Sequence, residues 1–574
     1  MALLNVWGRY PFKWIYIFTL FILQVYIGNA GGTGRNLPQT GIVWGMISIF
    51  SLTVLWRTRY SPIVITTTSI GIFVSTGLLW IPLLFTSPAW LAEALWPLLG
   101  LFAGMVFYVC VLQITWSWRR IQCVLLWIVF IALLQTILVL WQQIWPDTIY
   151  KWLTYPLDKT MRSGGVFQQV NLLASFTATG LAVAILQYLT APFSHLPTRI
   201  RFVYRFGLIS SMVLFPVLLV IEQSRIGWLG GGTASLLLLL TYLRRAPRQT
   251  MIALALIVSG IILGVLCFRH DFSTPLTHDA SNLARIAMLQ ETLNMILSHP
   301  WLGWGYGSFE YNFQHFRLAQ GNSTLGLGVV THPHNEYLYR WAEGGLVALA
   351  GMLLLTLCGL WLFLRAFRGD KHADHAEHSS CLGLGLCLLP MLMHTQTEYP
   401  FYLSALHWGV FILLLAIWDK KLSQQQLISF SFTRSLISRG GLGIVMCATL
   451  LFTASGGYSG WLLWRFEQQH FEGEMPDWNI NPWLLSERAM FDAQVASLLA
   501  FNHDRDPFRL DSYSFWAQNY LAVHIDREVY ARKLQILRAR GVAPLVAQWE
   551  TQAYGFFPDD PRFQPRIISG EKGD

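Results

Sequence analysis

Runs of apolar residues close to twenty long recur along this chain, each bounded by charged residues, and that pattern leaves it few folds. Crossing the hydrocarbon core takes about 20 residues of helix. Within lipid every backbone polar group must find a partner inside the segment, which favours helices. The runs fall at 12–29, 41–56, 62–83, 92–115, 122–145, 166–190, 206–221, 226–243, 250–268, 338–364, 380–394, 401–418 and 441–464, about thirteen spans by length. Only 12% of the residues are charged, roughly half the soluble norm of about 25%. The expected class is an all-α polytopic membrane protein.

The formal charge of +9 invites a nucleic-acid reading, but its distribution argues against one. Arg9/Lys13, Arg57/Arg59, Arg119/Arg120, Arg199/Arg201/Arg205, Arg244/Arg245/Arg248, Arg365/Arg368/Lys371 and Lys420/Lys421/Arg434/Arg439 fall in alternate loops. That is how basic residues mark cytoplasmic loops, so no nucleic-acid partner is expected. The remaining short loops carry few basic residues, apart from 146–165 with Lys151, Lys159 and Arg162. An odd number of spans from an inside N-terminus puts the long loop and the tail on the external face. The first apolar run, ahead of Gly28-Asn29-Ala30, reads as an uncleaved first helix rather than a signal peptide.

Four segments follow. Residues 1–268 hold the N-terminal membrane helices, 269–337 a large external loop, 338–464 the C-terminal membrane helices, and 465–574 a charged, aromatic tail. Helical runs at 486–499 and 527–540 predict a small helical domain in the tail. The histidine-rich stretch 371–379 reads as a solvated linker. The seven cysteines lie in or beside apolar runs without metal-ligand spacing, so neither a disulfide framework nor a zinc site is expected.

Ionisable residues at a membrane boundary are costly unless they face a cavity or a partner. Four groups of them gather on the external face. Arg162-Ser163-Gly164-Gly165 leads into a span carrying Gln168 and Asn171, whose spacing of three predicts one helix face. Glu222-Gln223-Ser224-Arg225 joins two spans, with an Arg225–Glu222 pair as the plain alternative. Arg285, Met288, Leu289, Thr292 and Ile296 predict an amphipathic helix lying on the membrane surface, followed by His299-Pro300-Trp301-Leu302-Gly303-Trp304-Gly305-Tyr306-Gly307. That glycine run reads as a turn, not a dinucleotide loop. Finally, Thr331-His332-Pro333-His334-Asn335-Glu336 packs two imidazoles, an amide and a carboxylate into five residues, and Gln396-Thr397-Glu398-Tyr399-Pro400-Phe401 adds a carboxylate. Arginines that match phosphate geometry, beside a group able to take a proton near neutral pH, suit a diphosphate-bearing lipid. With no carboxylate-rich octahedral site visible in the sequence, metal assistance is not required and no cofactor is expected.

These segments, Gly165 to Asn171, Ser224-Arg225-Ile226-Gly227-Trp228, the Arg285 helix with its glycine turn, His332 to Glu336, and Glu398-Tyr399-Pro400-Phe401 before a helical tail, taken in order and with this topology, resemble the O-antigen ligase and polymerase superfamily. Within it the chain is most similar to bacterial protein O-oligosaccharyltransferases of the PglL type. The resemblance implies a multi-pass protein of the bacterial inner membrane with a periplasmic active site. The activity it implies is transfer of a preassembled oligosaccharide from undecaprenyl diphosphate to Ser/Thr hydroxyls of exported proteins such as pilin. The family's loop histidine maps onto His334, with His332 as runner-up, and its arginines map onto Arg225 and Arg285.

The expected roles follow. Arg225 and Arg285, with Arg162, hold the diphosphate. His334 orients or deprotonates the acceptor hydroxyl, and Glu336 or Glu398 positions the histidine. Gln168, Asn171 and Asn335 complete the substrate contacts. Competing readings are ligation to lipid A core, polymerisation of repeat units, or, in a different class, lipid or glycan transport. Transport predicts charges near the midplane and paired repeats, whereas here the charges gather at one face.

Overall fold

The computed structural model describes residues 27, 34–148, 162–190, 197–267, 279–369, 375–423, 427–472, 481 and 483–564. The expected first span at 12–29, and the side chains of 371–379, lie outside them.

Ten helices among the described residues are long and apolar enough to cross a membrane. Eight come before the long loop: α1 (Pro38–Arg57), α2 (Thr67–Trp80, prolonged by a 3-10 turn), α3 (Leu91–Leu112), α4 (Trp118–Ile144), α5 (Val170–Thr190), α6 (Thr198–Ile221), α7 (Arg225–Leu243) and α8 (Pro247–Cys267). In the loop lie α9 (Asp279–Ser298) and α10 (Phe309–Ala319), and then α11 (Glu336–Gly369) crosses. The expected span 380–394 is broken into α12 (His375–Leu386) and α13 (Leu389–His394) around Leu388, with Pro390 opening the second piece. The span expected at 401–418 is a short turn, α14 (Pro400–Leu403), leading into α15 (Ala405–Leu422). α15 ends in Asp419-Lys420-Lys421, too polar to stand among the ten. α16 (Phe432–Gln468) is the last long apolar helix.

α5 is the hub, with nearly every side chain buried. Small residues let its neighbours approach closely, as helices in lipid require. On α7, Gly227 and Gly231 pack on Ala174 and Ala178, and Gly230 packs on Pro390. The other end of the bundle gathers the basic loops. Arg439 donates to the carbonyls of Arg59 and Ser61, and Arg365 donates to Leu422 O at 2.9 Å. A two-stranded ribbon, β1 (Val64–Ile65) with β2 (Ile428–Ser429), ties two of these loops together. Three of the basic groups read in the sequence, at Arg57/Arg59, Arg365 and 420–439, thus lie together.

The surface-helix expectation for α9 is half corrected. Met288, Thr292 and Ile296 do not face outward; they are buried with Met295, Phe309, Phe313 and Ala342. A second apolar stripe, Leu283, Ile286, Leu293 and Leu297, is the exposed one. Spacing reveals stripes but not which of two meets protein. The glycine turn after α9 folds back onto α11, whose helix breaks at Gly345 (φ 61°, ψ −159°). Trp304 N–H donates to Ala342 O, Gly305 N–H to Glu343 O, and Leu346 N–H to Trp301 O, at 2.9, 2.9 and 3.0 Å. These bonds satisfy the backbone groups that the break sets free.

The tail forms α17 (Ser486–Asp504), α18 (Pro507–Tyr520), α19 (Arg527–Ala539) and α20 (Ala543–Phe556). Consecutive helices pack around Tyr513, Tyr530, Phe556, Phe557 and Phe563. An ionic cluster bolts this domain to the bundle and loop. Arg35 meets Glu93 at 3.0 Å and Glu487 at 2.8 Å, while His524 lies 3.4 Å from both Glu310 and Glu487.

Two predictions follow from these packings. At Gly345 a Cβ would come within 2.2 Å of Trp301 O and the positive φ excludes most side chains, so Gly345→Ala should cost about 2 kcal/mol or more, read as a fall in thermal unfolding midpoint in detergent. In the tail, burial opposes charge on His524, but Glu310 and Glu487 outweigh it and lift its pKa to about 10. Burial likewise opposes charge on Glu487, yet His524 and Arg35 draw it down to about 2. The histidine's contribution is complete below its unfolded pKa of about 6.5 and is lost as pH rises through 10; the glutamate's is complete above about 4.5 and is lost as pH falls through 2. The contribution of the His524–Glu487 pair to protease protection of the tail should therefore be greatest between about pH 4.5 and 6.5, and His524→Ala should remove the pair's alkaline loss.

Candidate active site around His334 and Glu398

The residues singled out in the sequence come from segments as far apart as 162 and 398, and the fold brings most of them together. His334 leads into α11 in a left-handed conformation (φ 56°). That backbone is fixed by its own N–H, which donates to His332 Nδ1 at 2.9 Å. Its ring Nδ1 faces the carbonyl oxygen of Thr397 at 3.1 Å. A carbonyl only accepts, so the neutral ring carries its proton on Nδ1 and leaves Nε2 as the lone-pair nitrogen. Burial lowers the His334 pKa, with nearby Glu398 partly opposing it. The imidazole is therefore neutral at neutral pH, with Nε2 able to accept a proton.

His332 is placed differently. It is buried, stacked on Tyr399 with ring centroids 4.0 Å apart. Its Nδ1 is occupied as an acceptor, so its proton lies on Nε2, 3.5 Å from Glu336 Oε2. Burial pushes its pKa down to about 4. Glu336 in turn accepts from Arg340 Nε at 3.2 Å and from the Tyr402 hydroxyl. Arg340 sits among the rings of Tyr306, Tyr339 and Tyr402, 5.3 to 5.5 Å from each. Of the two carboxylates expected to steady the histidines, Glu336 thus acts on His332, and His332 on His334. Asn335 accepts the Leu338 N–H at 3.0 Å and so caps α11, while its amide faces Gln396 at 3.4 Å.

Glu398 is the second centre. Although its side chain is buried, it accepts from Asn171 Nδ2 at 2.5 Å and from Gln169 Nε2 at 3.2 Å. It lies 3.1 Å from His394 Nε2 and 3.6 Å from an Arg285 guanidinium nitrogen. Burial alone would raise its pKa, but His394, Asn171 and His334 bring it below the ordinary carboxylate value. Asn171 also accepts from the Ser224 hydroxyl at 2.8 Å, which ties the mouth of α5 to that of α7. Arg225, the first residue of α7, reaches Asn282 at the start of α9. Arg225 is close enough to Arg285 for its charge to help lower the Arg285 pKa, the larger cause being burial.

Three expectations need correcting. Gln168 and Asn171 do not share a helix face: α5 starts at Val170, and Gln168 precedes it in the left-handed region (φ 52°) with its amide nitrogen buried and unbonded. It is Gln169 that reaches Glu398. Nor does Arg225 pair with Glu222. Arg162 takes that place, donating to the Glu222 carbonyl oxygen, and burial raises the Glu222 carboxyl pKa to about 8 despite the Arg162 charge. Arg162 is thereby engaged with Glu222, while Arg285 stands beside Glu398 and Arg225 lies near Arg285. Sequence reasoning also passed over Gln169, Arg340, Tyr402, His394 and His407. The signals were there: His394 and Glu398 are four apart, and a histidine inside an apolar helix such as α15 is a functional candidate by default.

Residues 209–353 match the family model described as O-antigen ligase, and residues 382–567 match the model described as virulence factor membrane-bound polymerase, C-terminal. The two matches support the O-antigen ligase and polymerase superfamily. No curated protein matches the chain. The first match takes in Arg225, Arg285 and His332 to Glu336, and the second takes in His394, Glu398, His407 and the tail. Those two matches support a membrane glycosyltransferase-like function of the kind found in that superfamily.

The support that His332 gives His334 can be tested on stability. His332→Ala leaves the His334 N–H without its acceptor, at a cost of about 1–3 kcal/mol. The thermal unfolding midpoint of the detergent-solubilised protein should fall accordingly; an unchanged midpoint would show that bond to be dispensable.

Proposed function

We propose that this protein is an O-oligosaccharyltransferase of the PglL type, moving an oligosaccharide en bloc from undecaprenyl diphosphate to Ser/Thr hydroxyls of exported proteins at the periplasmic face of the inner membrane. The observation that carries the reading is His334, a neutral imidazole whose Nε2 is its lone-pair nitrogen, with Arg285 beside the neighbouring Glu398 and Arg225 near Arg285. Nε2 takes the proton of the acceptor hydroxyl as its oxygen attacks the anomeric carbon. The bond from that carbon to the diphosphate oxygen breaks, the diphosphate leaves with the electron pair, and a new glycosidic bond forms with inverted configuration. Arg225 and Arg285 stabilise the charge that grows on the leaving group, and Arg162 joins them only if it exchanges its Glu222 contact for phosphate. Glu398 holds Arg285 in place when no donor is bound.

A second reading has its own support. The match over residues 382–567 is to a polymerase model, which favours a lipid-linked repeat unit as the acceptor.

The test is glycan transfer in a host supplying a lipid-linked oligosaccharide and a pilin. Glycosylated pilin with wild-type protein supports the proposal, glycan on lipid A core moves the assignment to ligase, and extended lipid-linked chains move it to polymerase. His334→Ala should lower transfer by about 100-fold or more. Arg285→Lys should fail to restore wild-type transfer, because an ammonium lacks the planar fork.

A further inference from the structure

Behind Glu398 a line of hydrogen bonds runs inward, away from the residues that would meet substrate. His394 Nε2 lies 3.1 Å from Glu398 Oε2, and its Nδ1 lies 2.8 Å from Ser175 Oγ. Ser175 Oγ is 3.1 Å from His407 Nε2, and His407 Nδ1 is 2.9 Å from Ser404 Oγ. Every member is buried. Polar groups in such surroundings are costly unless fully bonded, and two histidines joined by a serine are more than packing needs.

The roles along this line can be assigned. His407 Nε2 also faces Leu172 O at 3.1 Å, so it carries the proton, and Nδ1 accepts from Ser404. The Ser175 hydroxyl has two acceptors for its one proton: His394 Nδ1 at 2.8 Å and Leu172 O at 3.2 Å. When Ser175 donates to Nδ1, His394 is neutral and its Nε2–H donates to Glu398. When Ser175 turns to Leu172 O, its oxygen is left to accept from the ring at Nδ1. Both states are fully bonded without movement of a heavy atom. The His394 backbone adds to this, since its carbonyl accepts from Thr397 N–H at 3.1 Å and from Glu398 N–H at 2.9 Å. Thr397 O is the atom that holds the His334 ring.

We propose that His394 is a positioning residue that keeps Glu398 ionised and aimed at Arg285, with Ser175 as the partner that holds the His394 ring in place through Nδ1. The charged and titratable groups facing Glu398 are Arg285 from α9 with Arg225 behind it, His334 from the loop, and His394 from its own turn backed by His407 from α15; Asn171 and Gln169 contribute neutral donors. Without His394, burial dominates and the carboxyl holds its proton. Arg285 then loses its counter-charge and His334 loses a neighbouring anion. The proposal rests on the transferase reading for its kinetic effect, but not for the state of Glu398.

The test therefore has two readouts on full-length protein in detergent. Infrared difference spectra across a pH titration, with the Glu398 band assigned by its loss in Glu398→Gln, report protonation whether or not transfer is observed. Wild type should protonate Glu398 only below the ordinary carboxylate range, and His394→Gln should raise that midpoint by about one pH unit or more. Ser175→Ala, a milder change, should shift the midpoint less in the same direction. Where transfer is measured, the acid limb of kcat in His394→Gln should move up by the same amount and recover at higher pH, which a merely structural loss would not do. A Glu398 midpoint equal to wild type in folded His394→Gln overturns the proposal. Absence of transfer by wild type would overturn the transferase reading alone.

Discussion

A carboxylate cannot stay ionised in a bundle of apolar helices without partners, because taking it out of water costs several kcal/mol. Glu398 is such a group, and much of the site is arranged around it. Its neighbours come from the mouth of α5, from α9, and from its own turn. Satisfying that one charge fixes Arg285, and it draws the start of α5 toward that of α7 through Asn171 and Ser224. The Thr397 carbonyl that holds His334 belongs to the same turn.

A second, nested arrangement stands beside it. Arg340, ringed by tyrosines, holds Glu336; Glu336 faces His332; and His332 holds the His334 backbone. The two arrangements meet at one imidazole, which each grips from a different side, one by the ring and the other by the main chain. Such double support is what an acid-base group needs if its free nitrogen is to be aimed within a few tenths of an ångström.

The membrane class, and the set of residues that the fold brings together, were legible in the sequence because both rest on strong signals. Apolar length marks helices, basic loops mark one end, and ionisable residues at the other mark chemistry. What the sequence did not disclose depends on distances between segments. That Gln169 and not Gln168 reaches Glu398 follows from α5 starting at Val170, a boundary of two residues that no periodicity resolves. That Arg162, not Arg225, engages Glu222 is a matter of loop geometry. The α9 helix carries two apolar stripes, and only the packing of Met288 and Ile296 on Phe309 and Phe313 tells which one faces protein. His394 and His407 looked like parts of apolar runs until the fold placed Ser175 between them.

The central claim is direct attack by an acceptor hydroxyl, deprotonated at His334 Nε2, on the anomeric carbon of a diphosphate-linked sugar. The most direct measurement is the configuration at that carbon, read by NMR in a donor of known anomeric form and again in the product. Inversion is the predicted result. Retention would point to a glycosyl-enzyme intermediate and would contradict the account.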